Sequence, residues 1–189
     1  MPQSPLDVTL FVTRIFEELD ISYAIGGSVA SATHGTTRAT MDVDIVADLD
    51  QRRVDKLIEK LGAEFYADET MIRDAVARRA SFNLLHLEAM FKVDIFVSKA
   101  RPFDTAQLQR RQRLQIGDTA GESAYVTSAE DIILAKLEWY RKGHQVSDRQ
   151  WRDVLGVMNV QQDRLDWAYL QDMARKLGVE DLLTKARDQ

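Results

Sequence analysis

Two short segments, MDVDIVAD at 41–48 and FKVDIFV at 91–97, alternate acids with branched and aromatic apolar residues. A period of two belongs to a β-strand, whose successive side chains point to opposite faces. Asp42 and Asp44 therefore project to one side, and Val43 and Ile45 to the other. Asp94 stands between Val93 and Ile95 in a strongly apolar strand. If the two strands lie side by side, Asp94 joins the other two carboxylates. Close carboxylates repel and stay ionised together only with a cation or donors between them. Hard oxygen ligands of this kind suit Mg²⁺ or Mn²⁺ bound together with substrate phosphates. Taken by itself, the Asp-Val-Asp triplet fits a half-exposed edge strand with solvated aspartates better than a metal site. Asp48 and Asp50, just downstream, read as turn and helix-cap residues.

The rest of the chain punctuates itself clearly. Apolar spacing predicts helices over 6–19, 29–34, 50–61, 69–79 and 103–110. Strands are expected at 21–25, 41–47, 82–87 and 91–97, the last two as a hairpin around Glu88-Ala89, with weaker ones at 111–116 and 123–126. From Thr127 onward the pattern turns helical. Thr127 and Glu130 have capping-box spacing, and Gly143 suits the stop of that helix. Ser147 with Gln150 opens a helix to about 158, Asp166 caps another that ends at Gly178, and 179–186 forms the last. The fold class is α+β: a mixed β-sheet with flanking helices over residues 1–126, then a helical region over 127–189 packed on it. No Pro/Gly/Ser-rich linker separates the halves.

Within helix 127–143, Ile132, Ile133, Leu137, Trp139 and Tyr140 form one apolar arc, while Asp131, Glu138 and Arg141 take the other side. Lys136 falls inside the arc. A charge there is costly unless it is paired or meets an anion, although a lysine can also snorkel past a core. Whether it snorkels or meets a ligand, Lys136→Met is expected to leave the free protein no less stable. Asp153 lies at the edge of the next helix's apolar face, where it can line a cleft or pair with Lys136. Trp139, Trp151 and Trp167 read as core, and His34 as structural or surface. Gly26-Gly27-Ser28 follows a strand and precedes a helix, so backbone can approach a ligand closely and helix N–H groups can meet phosphate.

A net charge of −5 disfavours a chain that coats nucleic acid, and the arginines at 101, 110, 111 and 113 read as solvated. Without cysteine there are no disulfides or thiolate metal sites, which fits a reducing compartment. No apolar run spans a bilayer and no signal-peptide pattern opens the chain, so a cytoplasmic protein is expected.

Together, Ile25-Gly26-Gly27-Ser28, Asp42-Val43-Asp44 and Asp94 resemble the nucleotidyltransferase superfamily with the DNA polymerase β-like fold. The likeness covers roughly residues 20–98. The lead-in Arg38-Ala39-Thr40 and the pairing of Lys136 with Arg152-Asp153 look most like AbiEii-type toxins and related stand-alone bacterial enzymes, although Gly156 stands where that motif often carries a further Asp. The resemblance implies transfer of a nucleoside monophosphate from a triphosphate, ATP among the candidates, to an acceptor hydroxyl on an RNA 3′ end, a protein or a small molecule. It implies Mg²⁺ or Mn²⁺ on Asp42, Asp44 and Asp94. Gly26, Gly27, Ser28, Arg38, Lys136 and Asp153 would hold the nucleotide, Lys136 also acting in catalysis. A toxin-like role with an antitoxin partner is among the options it opens. The alternative is a catalytically inactive nucleotide-binding or protein-interaction module with the same fold.

Overall fold

The computed structural model describes residues 4–34, 42–116 and 122–189. In chain order the elements are α1 (Pro5–Glu18), β1 (Tyr23–Ile25), α2 (Gly27–His34), β2 (Asp42–Ala47), α3 (Val54–Leu61), β3 (Phe65–Tyr66), α4 (Glu69–Arg78), β4 (Ser81–His86), β5 (Phe91–Val97), α5 (Pro102–Gln109), β6 (Gln112–Gln115), β7 (Ser123–Val126), α6 (Ala129–Lys142), α7 (Asp148–Gln161), α8 (Trp167–Leu177) and α9 (Glu180–Arg187). Short 3₁₀ turns precede α3, β3 and α8. Among the described residues the strands form one mixed sheet in the order β3-β4-β5-β2-β1-β7-β6.

The centre of that sheet follows from the two alternating segments. β2 and β5 pair in parallel, and β4–β5 is the antiparallel hairpin that the sequence predicts. Val43, Ile45, Val93 and Ile95 are fully buried, in one core with Val8, Val12 and Phe16 of α1. The other face of the same strands carries Asp42, Asp44 and Asp94, each partly accessible. Helix α1 starts as its sequence dictates, with Pro5 in the first turn and a reciprocal Ser4–Asp7 capping box.

Three expectations change. The cap of α6 is Ser128, not Thr127. Thr127 is still tied to the sheet: its N–H and its hydroxyl both donate to the Ile25 carbonyl. Strand pairing therefore holds Thr127 extended and moves the cap one residue on. Asp131 is buried rather than solvent-facing, because α8 packs over that side of α6. Trp139 is 51% exposed, whereas Trp151 and Trp167 are half-buried and pack against the core as expected. The smaller Leu134 and Leu137 fill the α6 interface instead, both fully buried. The four arginines are held by the fold itself: Arg101 by Asp104 and Glu138, Arg110 by Glu130 and the Tyr169 ring, Arg111 over Tyr125, and Arg113 by Glu17. His34 is structural, its Nε2 bonded to the Thr127 carbonyl at 2.7 Å. Among the described residues no helix is long and apolar enough to cross a membrane.

Candidate active site

The parallel register of β2 and β5 sets Asp44 directly beside Asp94, with Asp42 beside Lys92. Neighbouring strands lie about 4.8 Å apart, so carboxylates paired this way share one small volume. The electrostatics carry the mark of it. The Asp44 carboxyl is pushed up to about 6, first by burial and then by the negative charges of Asp42 and Asp94, while Lys136 and Lys92 pull it back. The Lys92 ammonium sits on Asp94 at 2.7 Å and supplies positive charge at that carboxylate.

Gly27 explains how Asp44 fits. Its φ is +57°, and a Cβ there would lie 1.7 Å from the Asp44 Oδ2. Only glycine leaves room for the carboxylate against the first turn of α2, and only glycine accepts that backbone without strain. The N-terminus of α2 is thus laid on the metal-ligand candidate itself. Gly26 has a different duty: its N–H donates to the Asp44 carbonyl at 2.8 Å, which ties α2 to β2. Ser28 follows on α2 and is buried at the same place.

Lys136 approaches from α6. It is 6% exposed, and its ammonium donates to Asp153 Oδ2 at 2.8 Å and to Gln150 Oε1 at 3.3 Å. The cost of burying this charge is therefore met inside the protein. The Gln150 side chain is used in this way while its backbone N–H takes the Ser147 cap. Asp153 contacts the ammonium and does not line the cavity described next. Arg38 lies outside the described residues.

A cavity of about 540 Å³ opens on this face, walled by Gly27, Ser28, Asp42, Asp44 and Lys136. Phe96, Phe103, Trp139 and Gln107 also line it, and sequence reasoning missed all four as site residues. Asp94 borders Asp44 but is not part of the cavity wall. Among the described residues, no three His, Cys, Asp or Glu side chains form a ready-made cage for an ion. The donor set still suits a hard cation: it is all carboxylate oxygen, repels itself, and already draws an ammonium.

No protein-family model matches the chain, and no curated protein matches it. Solved structures do. The antibiotic-resistance factor ANT(2'')-Ia aligns over 99% of this chain and 94% of its own, at 14% identity and a TM-score of 0.56. An antigenic nucleotidyltransferase-like protein from Paracoccidioides brasiliensis aligns over 96% and 91%, at 18% identity and a TM-score of 0.53. The lincosamide antibiotic adenylyltransferase LnuA, solved with lincomycin bound, aligns over 80% and 95%, at 16% identity and a TM-score of 0.50. At such identities the likeness is one of fold, and the chain has the nucleotidyltransferase-like α+β fold that the sequence resemblance implies.

Proposed function

We propose that this chain is a metal-dependent nucleotidyltransferase, moving a nucleoside monophosphate from a triphosphate to an acceptor hydroxyl. The observation that carries this reading is the in-register pair Asp44 and Asp94 beside Asp42, seated against the glycine that opens α2. Asp42, Asp44 and Asp94 would hold Mg²⁺ or Mn²⁺. Bound there, the ion supplies charge that stabilises the entering and leaving oxygens of an in-line displacement.

The chain's own groups do the rest. The first turn of α2 and the Ser28 hydroxyl donate to the β- and γ-phosphates. Lys136 meets the same charge, and the Asp153 carboxylate aims and restrains its ammonium. Asp94 takes the proton of the acceptor hydroxyl. The acceptor oxygen forms a bond to the α-phosphorus, the bond from that phosphorus to the bridging oxygen breaks, and pyrophosphate leaves.

The test is pyrophosphate release from each of the four triphosphates with Mg²⁺, in the presence of a cell lysate that supplies acceptors. Turnover that disappears in Asp42→Asn and Asp44→Asn supports the reading. Metal-dependent binding with no turnover under any acceptor supports the inactive module instead. Labelled triphosphate then sorts the acceptor among RNA, protein and small molecules. Label in RNA, relieved by a protein encoded beside this one, supports the AbiEii-like toxin role.

A further inference from the structure

Trp139 is the residue that the proposed chemistry does not use and the core does not need. A half-exposed indole in a cavity wall is a stacking surface with room for a ligand. It lies three residues after Lys136 on α6, a rise of about 4.5 Å. The Phe96 ring meets it edge-on at 6.0 Å, and Lys142 lies over it at 5.2 Å. Phe96 pairs with Val46, one layer past the Asp44–Asp94 pair along the same two strands. One layer is two residues, about 6.6 Å. The aromatic layer is therefore displaced from the carboxylates by about the reach of a ribose.

A second observation comes from α5. Gln107 lines the same cavity and is 4% exposed. Gln107 thus presents an amide to this cavity, and the paired donor and acceptor of an amide suit the edge of a nucleobase.

We infer that Trp139 and Gln107 form the nucleobase subsite, Trp139 as the stacking platform and Gln107 as the reader of the base edge. This rests on the nucleotidyltransferase reading, in which the phosphates lie at Gly27, Ser28 and Lys136. Both residues are positioning residues, since neither is placed at the reacting atoms.

The experiment compares two probes with Mg²⁺ by titration calorimetry and tryptophan fluorescence: a non-hydrolysable ATP analogue and inorganic tripolyphosphate. The expected result is quenching of tryptophan emission by the ATP analogue and not by tripolyphosphate, with the quenching lost in Trp139→Phe. Trp139→Ala should weaken the ATP analogue about tenfold, within the range for loss of one stacked base, and leave tripolyphosphate affinity unchanged. Trp139→Phe should recover most of that affinity, and Gln107→Leu should weaken the analogue several-fold with tripolyphosphate again unaffected. If Trp139→Ala weakens both probes alike, or neither, the subsite is overturned while the phosphate site stands. If the wild-type protein binds neither probe, the nucleotidyltransferase reading falls, and the subsite with it.

Discussion

Asp131 and Asp44 both have their carboxyl pushed upward by burial, and they are furnished in opposite ways. Around Asp131, at the start of α6, donors and a cation close in. Ser128 Oγ donates to it at 2.8 Å, the Tyr169 hydroxyl donates to its other oxygen, and Arg110 lies 3.9 Å away. These groups pull its carboxyl back toward the ordinary range. Around Asp44 the strongest charge effects come from its strand neighbour Asp42 and its cross-strand partner Asp94, which push the same way as burial, against a smaller pull from Lys136 and Lys92. One site has been closed with hydrogen bonds. The other leaves like charges facing each other, with two lysines alongside.

The sharpest break of this contrast is kinetic. Asp44→Asn or Asp42→Asn should lower pyrophosphate release by at least about 10³-fold, because metal-centred charge stabilisation is worth several kcal/mol. Circular dichroism should show the fold intact. Asp131→Asn, assayed below its melting temperature, should leave turnover within a fewfold of wild type while lowering stability. If the two substitutions cost turnover equally, the division between a structural and a catalytic carboxylate is wrong.

Lys136 tests the same contrast from the cationic side. The sequence leads to the expectation that Lys136→Met leaves the free protein no less stable, and the ion pair with Asp153 reverses it. Removing one partner of a well-buried pair costs about 3–5 kcal/mol. The side chains here retain 8% and 17% of their exposure, so a loss of about 2 kcal/mol is expected from urea unfolding. Adding Asp153→Asn to that variant should recover most of the stability and none of the triphosphate affinity. Recovery of affinity would remove Lys136 from the phosphate site.

What the sequence could and could not tell follows from which forces are local. The period of two in 41–48 and 91–97 comes from backbone geometry, so both strands and the shared face of Asp42 and Asp44 are legible in the residues alone, whereas Asp94 joins them only through the parallel β2–β5 register. Lys136 is legible because a cation breaks an apolar stripe. Gly27 is legible as a glycine that something must approach, but not that Asp44 is what approaches it. Asp131 is misplaced because a helical wheel knows nothing of α8. Its spacing from Ser128, a cap three residues upstream, is the available signal. Trp139 fails for a related reason: the wheel equates an apolar arc with a core, whereas this arc faces core along part of its width and a cavity along the rest. Gln107 leaves no trace, since a single amide on a short helix disturbs no period.

Acidity separates the two aspartates further. In the metal-free protein, Asp44 has a folded value of about 6 against an ordinary 3.8. A carboxyl raised on folding contributes stability below its unfolded value and loses that contribution as pH rises through its folded value. Stability should therefore decline between about pH 4 and pH 7, by on the order of 3 kcal/mol from this group. Asp44→Asn should flatten that part of the profile and leave the variant more stable than wild type at pH 7 in the presence of a chelator. A profile unchanged by the substitution would mean that Asp44 does not feel its neighbours.

Tyr169→Phe should have the smallest effect and the opposite sign. It deletes the hydroxyl that donates to Asp131 and little else, because Arg110 still stacks on the ring at 3.9 Å and the Ser128 bond remains. With one donor gone, the Asp131 carboxyl moves further up from its ordinary value. The penalty is then absent at pH values below the unfolded carboxyl range, where Asp131 is protonated in both states, and fully expressed above the folded value. A loss of about 1.5 kcal/mol is expected near neutral pH, at the lower edge of the range for a hydrogen bond to a charged group. Urea unfolding of Tyr169→Phe and Asp44→Asn across the same pH series reads both at once. Removing a donor should steepen the fall in stability with rising pH, and removing a like charge should relieve it. Two variants that shift the profile in the same direction would show that the carboxylates are furnished alike, and the contrast between them would not survive.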